Sequence, residues 1–566
     1  MDKLFEQLSR ERKDLQTKGY YPSWFTTQGH QMFKDKYMYE DTYLLGRHKA
    51  IAKTLSRYLP TSIQEHYEQI FFDLLWSGKL SAATPVLANC GTNRGLTVSC
   101  SGQHIGDDVD SFYSNLRETA LLTKYGFGTS GGFSTVRPRG AAISKGGTAN
   151  GVRPVIDDFF IATNKISQGS SRRGSFAAYL DIEHDDFDEC LQDLFINTDG
   201  KNYGWVIKDS FINKLQAGDE EANRRFKEII YLKLIHGKGY FFFVDRANRH
   251  RPEMYKEHGL DIKASNLCSE IMLHSGPDYT YSCILSSINL THWDEIENDN
   301  TIFNATVFLD CVTSDFIHNA SAIPGLERVI EFTKKGRAIG LGVMGLHTLL
   351  QSKSIPMDSM EAHLLDGTIF KRLHDESLRA SQWLATMQGE PEWCKGYGVR
   401  NTHRTAQAPT KSTALLMGGV SEGISPDPGM AFEASSAVGE LTRITPVFYQ
   451  LMKERGMYSE KTVNRIIENL GSVQQEEWLT SHEKEVFKTA FEVSQEMLIN
   501  RTAARQKYFC QGQSLNLFVP GDGDGVEERI AQLISQVFVN ENILSQYYIY
   551  SRNGVVVNDD CVACSA

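Results

Sequence analysis

At 566 residues, with 41% hydrophobic and 23% charged residues and a formal net charge of −11, the chain has the make-up of an ordinary soluble globular protein of several domain-sized units. The charge is spread without a basic block, which argues against a nucleic-acid backbone as partner and allows a local pocket for a small anion. No window approaches the ~20 apolar residues of a membrane span, and the amino terminus is charged from Asp2 with no signal-peptide run, so a cytoplasmic protein without membrane contact is expected.

Residues 1–95 read as helical. Ile51, Leu55 and Leu59 recur at four-residue steps, and Ser62 with Glu65 is a candidate capping box for a second helix that carries Tyr67, Ile70, Phe71, Leu74 and Leu75 and closes at Gly78. From Thr84 the texture changes to short apolar runs broken by glycine. Thr97–Cys100 reads as a strand leading to a thiol, and Gly106–Asp110 as a turn into a helix over roughly 110–124. The run Gly126–Gly132, followed by Arg137 and Arg139, reads either as a ligand-approaching segment or as an irregular surface loop. A second polar loop spans Ile166–Gly174, and Ala177–Leu180 is strand-like. The apolar run Tyr240–Val244 fits a strand covered on both faces. Strands spaced by helical patterns indicate a mostly parallel α/β architecture.

Ser265–Ile271 places an amide, a thiol and a carboxyl at Asn266, Cys268 and Glu270. An extended backbone there would point all three to one side. On these residues alone, the alternatives are a redox and acid–base face or a buried cysteine with two solvated polar neighbours. Gly340–Gly345 matches GxGxxG, but Phe332–Arg337 is no buried strand and no acidic partner follows, so a tight turn beside a packed helix is expected and a dinucleotide fold is not. Pro409–Thr413 opens a helix-like run and reads as a phosphate cradle or as a helix cap. The last third is again largely helical. It ends in Tyr547, Tyr548 and a polar tail carrying Cys561 and Cys564, a pair better suited to redox exchange than to zinc, because no further ligands lie nearby.

Together these motifs resemble the catalytic subunit of class I ribonucleotide reductase, from about residue 40 to the last residue. The resemblance implies a ten-stranded α/β barrel with a central finger loop over 96–545. A mostly helical region over 1–95 without the family's ATP-cone would precede it, and a flexible redox tail over 546–566 would follow. It implies that Cys268 becomes a thiyl radical that takes the 3′-hydrogen of a ribonucleoside diphosphate, with Glu270 as base for the 3′-hydroxyl and Asn266 binding the substrate hydroxyls. Cys100 and Cys283 would deliver the reducing equivalents and end as a disulfide, which Cys561 and Cys564 would reduce and thioredoxin or glutaredoxin would reset. Tyr547 and Tyr548 would relay the radical from a small metal-containing subunit, so the chain itself would hold no metal or cofactor.

Thr84, Ser99 and Pro409, Thr410, Lys411, Ser412 and Thr413 would contact substrate, the last group at its diphosphate; Lys411 is not demanded by the family pattern. Asp107 and Arg137 would hold a deoxynucleoside triphosphate or ATP effector at a homodimer interface, and Gln168 and Arg172 would pass effector identity to the substrate base. Two alternatives remain at this point. An adenosylcobalamin-dependent class II reductase has no use for the tyrosine dyad. A nucleotide-binding dithiol protein without radical chemistry has none for Cys268.

Overall fold

The short strand-like runs that recur from Cys100 onward assemble into one sheet. In the structure, a computed structural model, residues 3–40, 42–168, 172–198, 200–436, 439–521 and 525–551 are described. The sheet's strands are β1 (Leu80–Ala82), β2 (Cys100–His104), β3 (Gly128–Gly132), β4 (Phe176–Asp181), β5 (Tyr203–Ile207), β6 (Tyr240–Phe243), β7 (Tyr281–Asn289), β8 (Ile339–Met344) and β9 (Ser545–Gln546). Strands β2 to β6 pair side by side in parallel. Their residues are almost all buried; β6 reads as an unbroken apolar run, whereas β2 and β3 are built of small and polar residues. The long strand β7 joins this half to the rest. Its first three residues pair antiparallel with β2, residues 286–288 pair antiparallel with β1, and residues 284–289 pair in parallel with β8. Isolated parallel bridges from Leu341 to Thr405 and from Gln407 to Gln513 carry the second half onward. This is an α/β barrel-type fold.

Helices cover both halves. Thr301–Ala320 is buried along most of its length, and its Phe308 and Leu309 share a core with Phe71, Leu350 and Leu373. Among the described residues, no helix is long and apolar enough to cross a membrane.

The amino-terminal helices bury the predicted stripes: Ile51 and Leu55 on Leu44–Ser56, and Tyr67, Phe71, Leu74 and Leu75 on Gln64–Trp76. The capping box at Ser62 and Glu65 does not form. A 3₁₀ turn over Thr61–Ile63 leads straight into Gln64, whose side-chain amide donates to the Leu59 carbonyl at 2.8 Å. The stretch before 95 is also not wholly helical, because β1 pairs into the sheet.

Glycine causes two further differences. The run Gly126–Gly132 is not a surface loop: its last five residues are the buried strand β3. A side chain at Gly131 would meet the Phe133 and Phe176 rings at 2.9 and 3.0 Å, so aromatic packing over the sheet requires glycine there. In the GxGxxG run, Gly340 and Gly342 lie inside β8, and only Gly345, at φ +77°, makes a turn. A Cβ at Gly340 would lie 3.1 Å from the Cys283 sulfur and 2.6 Å from Leu285.

The entry to β8 is pinned by a buried charge cluster. Arg337 donates to both Asp310 carboxylate oxygens at 2.8 and 2.9 Å, and Arg400 and Asn401 add bonds at 3.0 Å each. Burial alone would raise the Asp310 carboxyl, but the two guanidinia outweigh it and hold it below the usual carboxylate range. Asp310→Asn would leave both guanidinia without their counter-charge. It is expected to cost about 3–5 kcal/mol, read as a lower urea midpoint.

Candidate active site

The loop 265–271 is buried at every residue and held from two sides. From β4, the Tyr179 hydroxyl donates to the Asn266 carbonyl at 2.6 Å. From the 511–514 segment, Ser514 Oγ donates to the Cys268 carbonyl at 2.6 Å, and Gly512 N donates to the Glu270 carbonyl at 2.8 Å. The loop is not extended, contrary to the period-two expectation. Ser269 N donates back to the Asn266 carbonyl at 3.2 Å and Ser269 adopts φ +60°, so the chain turns between Cys268 and Glu270.

The loop borders two buried clusters, one with Leu267 and Cys268 and one with Ile271, Cys100 and Cys283. Leu267 and Cys268 pack with Tyr179, Tyr240, Leu544 and Tyr547. Asn266 Nδ2 lies 3.5 Å from the Cys100 sulfur. Cys100 lies directly opposite Cys283 in the antiparallel pairing of β2 with β7. Partners in such a ladder have Cα atoms about 4.5–5.5 Å apart, inside the range a disulfide spans. Burial pushes the Cys283 thiol up to about 12, against a lowering contact from Gln511, whose Nε2 lies 3.4 Å from the sulfur. Burial likewise lifts Glu270 to about 7, opposed by bonds from its own backbone, Asn266 and Ser514. The site therefore holds a protonated thiol beside a carboxyl poised to exchange a proton near neutrality.

Tyr547 is buried and Tyr548 half-buried, with ring centroids 4.2 Å apart and planes tilted by 55°. They follow β9 in an extended stretch, not at a helix end. Cys561 and Cys564 lie outside the described residues.

The predicted binding residues fall into separate groups. Pro409 to Thr413 leads into the short helix Lys411–Leu416, with Thr410 at φ +57° and its Oγ1 accepting from Gly423 N at 2.8 Å. Ser412 is buried and Lys411 half-buried. Thr84 Oγ1 lies 3.0 Å from the Tyr37 hydroxyl, and the buried Ser99 hydroxyl has no hydrogen-bond partner among the described residues. Asp107 and Arg137 pair with each other, Nε to Oδ2 at 2.6 Å, just before the helix Val109–Lys124. Gln168 and Arg172 pair through their backbones in a short hairpin; their side chains lie outside what is described. A cavity of about 620 Å³ bordered by Trp24, Thr348, Met417 and Phe487 includes none of these residues.

Sequence reasoning missed Tyr179, Gln511 and Ser514. The last two lie in Cys510–Ser514, a polar run with no helical period inside a stretch read as helical, and that break was the available signal.

The model of the ribonucleotide reductase barrel domain matches residues 98–221, 202–395 and 391–538. The large subunit of ribonucleoside-diphosphate reductase from Invertebrate iridescent virus 3 is 27% identical over 94% of this chain and 95% of its own. A vitamin B12-dependent ribonucleoside-diphosphate reductase from Thermoplasma acidophilum is 31% identical over 81% of this chain and 62% of its own. Among solved structures, the class Id ribonucleotide reductase alpha subunit of Actinobacillus ureae superposes with a TM-score of 0.86 at 36% identity, covering 94% of this chain and 98% of that one.

Because Glu270 holds its proton more tightly folded than unfolded, its contribution to stability is complete below the ordinary carboxylate range and is lost as pH rises through about 7. The loss is bounded at about 3 kcal/mol. Glu270→Gln is expected to flatten stability between pH 5 and pH 8 relative to the parent, read from urea midpoints at the two pH values. Equal slopes in both proteins would contradict the assignment.

Proposed function

The chain belongs to the ribonucleotide reductase large-subunit family, and from that premise we propose how its residues carry the reaction. It is the catalytic subunit of a class I ribonucleoside-diphosphate reductase, an oxidoreductase that makes deoxyribonucleotides. The observation that carries the residue-level reading is the register of Cys100 opposite Cys283, with Asn266 against the first sulfur and Gln511 against the second.

In this reading Cys268, as a thiyl radical, takes the 3′-hydrogen of the substrate ribose. The new S–H bond is close in strength to the C–H bond broken, so the step is nearly balanced. Glu270 takes the 3′-hydroxyl proton, for which a carboxyl lifted to about 7 is well matched. Asn266 binds the substrate hydroxyls. Cys100 and Cys283 supply two electrons and two protons: one proton leaves with the 2′-hydroxyl as water, the other hydrogen ends on C2′, and the two sulfurs join as a disulfide. Burial keeps Cys283 as a thiol until then, and the buried surroundings protect the radical from side reactions. Cys561 and Cys564 then reduce that disulfide by exchange and are reset by thioredoxin or glutaredoxin.

Tyr547 and Tyr548 relay the oxidising equivalent from a small metal-containing partner subunit; their ring contact and the packing of Tyr547 in the cluster of Cys268 support this. Thr84, Ser99 and the 409–413 segment hold the ribonucleoside diphosphate. Asp107 and Arg137 hold a deoxynucleoside triphosphate or ATP effector in the homodimer, and Gln168 and Arg172 couple it to substrate choice. The catalytic barrel spans 96–545 and the redox tail 546–566, in a cytoplasmic enzyme.

The likeness to a B12-dependent enzyme gives the second reading a definite form: adenosylcobalamin would support turnover without any partner protein. The alpha-subunit structural match and the tyrosine dyad favour class I.

Cys268→Ser is expected to abolish CDP reduction while leaving nucleotide binding intact by calorimetry; measurable turnover in the variant would refute the radical role. The double variant Cys561→Ser, Cys564→Ser should complete about one turnover per site with thioredoxin and then stall, with partial rescue by dithiothreitol. Sustained thioredoxin-driven turnover would refute the tail's role.

A further inference from the structure

Tyr240 is a buried phenol that the mechanism above leaves without a task. The register of β6 with β9 pairs Phe242 with Ser545 and Phe241 with Gln546, so the next step of the ladder brings Tyr240 level with Tyr547. The two ring centroids lie 4.8 Å apart. The Tyr240 ring also meets that of Tyr548 edge-on at 5.4 Å, and the two hydroxyl oxygens are 3.0 Å apart. The Tyr240 hydroxyl donates to Asn202 Oδ1 at 3.2 Å, and its oxygen can accept the Tyr548 hydrogen across the 3.0 Å contact. Three phenols are thus in mutual contact within the cluster that contains Cys268.

We propose that Tyr240 is a third redox-active phenol of the relay, exchanging a hydrogen atom with Tyr548 across their shared hydrogen bond. The proposal rests on the reading of Tyr547 and Tyr548 as a radical relay. Once the partner subunit's radical has oxidised Tyr548, the Tyr548 oxygen has no hydrogen to donate, and only Tyr240 can donate across the 3.0 Å contact. Rotation of one hydroxyl away from Asn202 aims its hydrogen at that oxygen. The O–H bond of Tyr240 breaks and the O–H bond of Tyr548 forms, with one proton and one electron moving together. The products are a Tyr240 phenoxyl radical and intact Tyr548. Reactant and product are the same pair of species with places exchanged, so the step is close to balanced and reverses readily. The unpaired electron is then shared over three rings, all within contact of the buried path toward Cys268.

The test places 3-aminotyrosine, a more easily oxidised phenol, at 240, 547 or 548 in separate full-length proteins. Each is mixed with its radical-loaded partner subunit, CDP and an effector, and frozen for electron paramagnetic resonance. An aminotyrosyl signal at 240 that grows as the partner's radical decays, alongside signals at 547 and 548, is the expected result. Signals at 547 and 548 with none at 240 would overturn the proposal and leave the relay standing. No signal at any position would overturn the relay reading itself, and this proposal with it. Tyr240→Phe keeps the ring and removes the hydroxyl. It is expected to lower kcat about tenfold, the rate equivalent of one lost hydrogen bond, with the KM for CDP unchanged. An unchanged kcat would count against the proposal.

Discussion

The antiparallel register of β2 on β7 sets Cys100 directly across from Cys283, and the rest of the site is arranged around that pair. Cross-strand partners already have the spacing a disulfide needs, so two electrons can leave the pair without the sheet deforming. The same pairing fixes what surrounds the sulfurs. Gly340 must lack a side chain because the Cys283 sulfur lies where its Cβ would crowd, and Gln511 reaches in from the second half of the fold. The loop that carries Asn266, Cys268 and Glu270 is tied down by Tyr179 on one side and by Gly512 and Ser514 on the other. One strand pairing and two sets of hydrogen bonds therefore hold groups from four distant stretches of chain.

Burial does two kinds of work in this arrangement. It raises the Cys283 thiol and the Glu270 carboxyl together, disfavouring the charged form of each. Glu270 is left close enough to neutrality to change protonation state during a reaction, whereas Cys283 is not. Elsewhere the protein buries full charges and neutralises them outright, as at Asp310 with Arg337 and Arg400, and at Asp366 with Arg501 and Arg505. Glu270 is instead buried among hydrogen-bond donors, as Asp315 is with the Tyr58 and Thr97 hydroxyls.

Much of the architecture was legible in the chain because buried parallel strands leave a plain signature. Tyr240–Phe243 stands out as an unbroken apolar run, and Ala177–Leu180 as a strand-like stretch inside Phe176–Asp181. The cysteines, Asn266, Glu270 and the two tyrosines could be singled out because chemistry-bearing residues fall in separated motifs in a recognisable order. What failed was local geometry. Alternating polar positions at 266, 268 and 270 suggested a strand, but hydrogen bonds from 512 and 514, more than 240 residues along the chain, hold a turn instead. The strand placement of Gly131 and Gly340 was not legible, because the Phe176 ring and the Leu285 side chain that a Cβ would meet come from neighbouring strands. Tyr179 and Ser514 act through a hydroxyl on a backbone carbonyl, a contact that no spacing rule announces.

The central claim is that the cross-strand thiols are the reductant consumed in each turnover. The direct measurement is a single turnover of CDP with the partner subunit and no external reductant, followed by alkylation of free thiols and peptide mass mapping. Formation of one disulfide joining Cys100 to Cys283 for each deoxynucleotide produced is the predicted result. Product formed while both cysteines remain alkylatable would contradict the account.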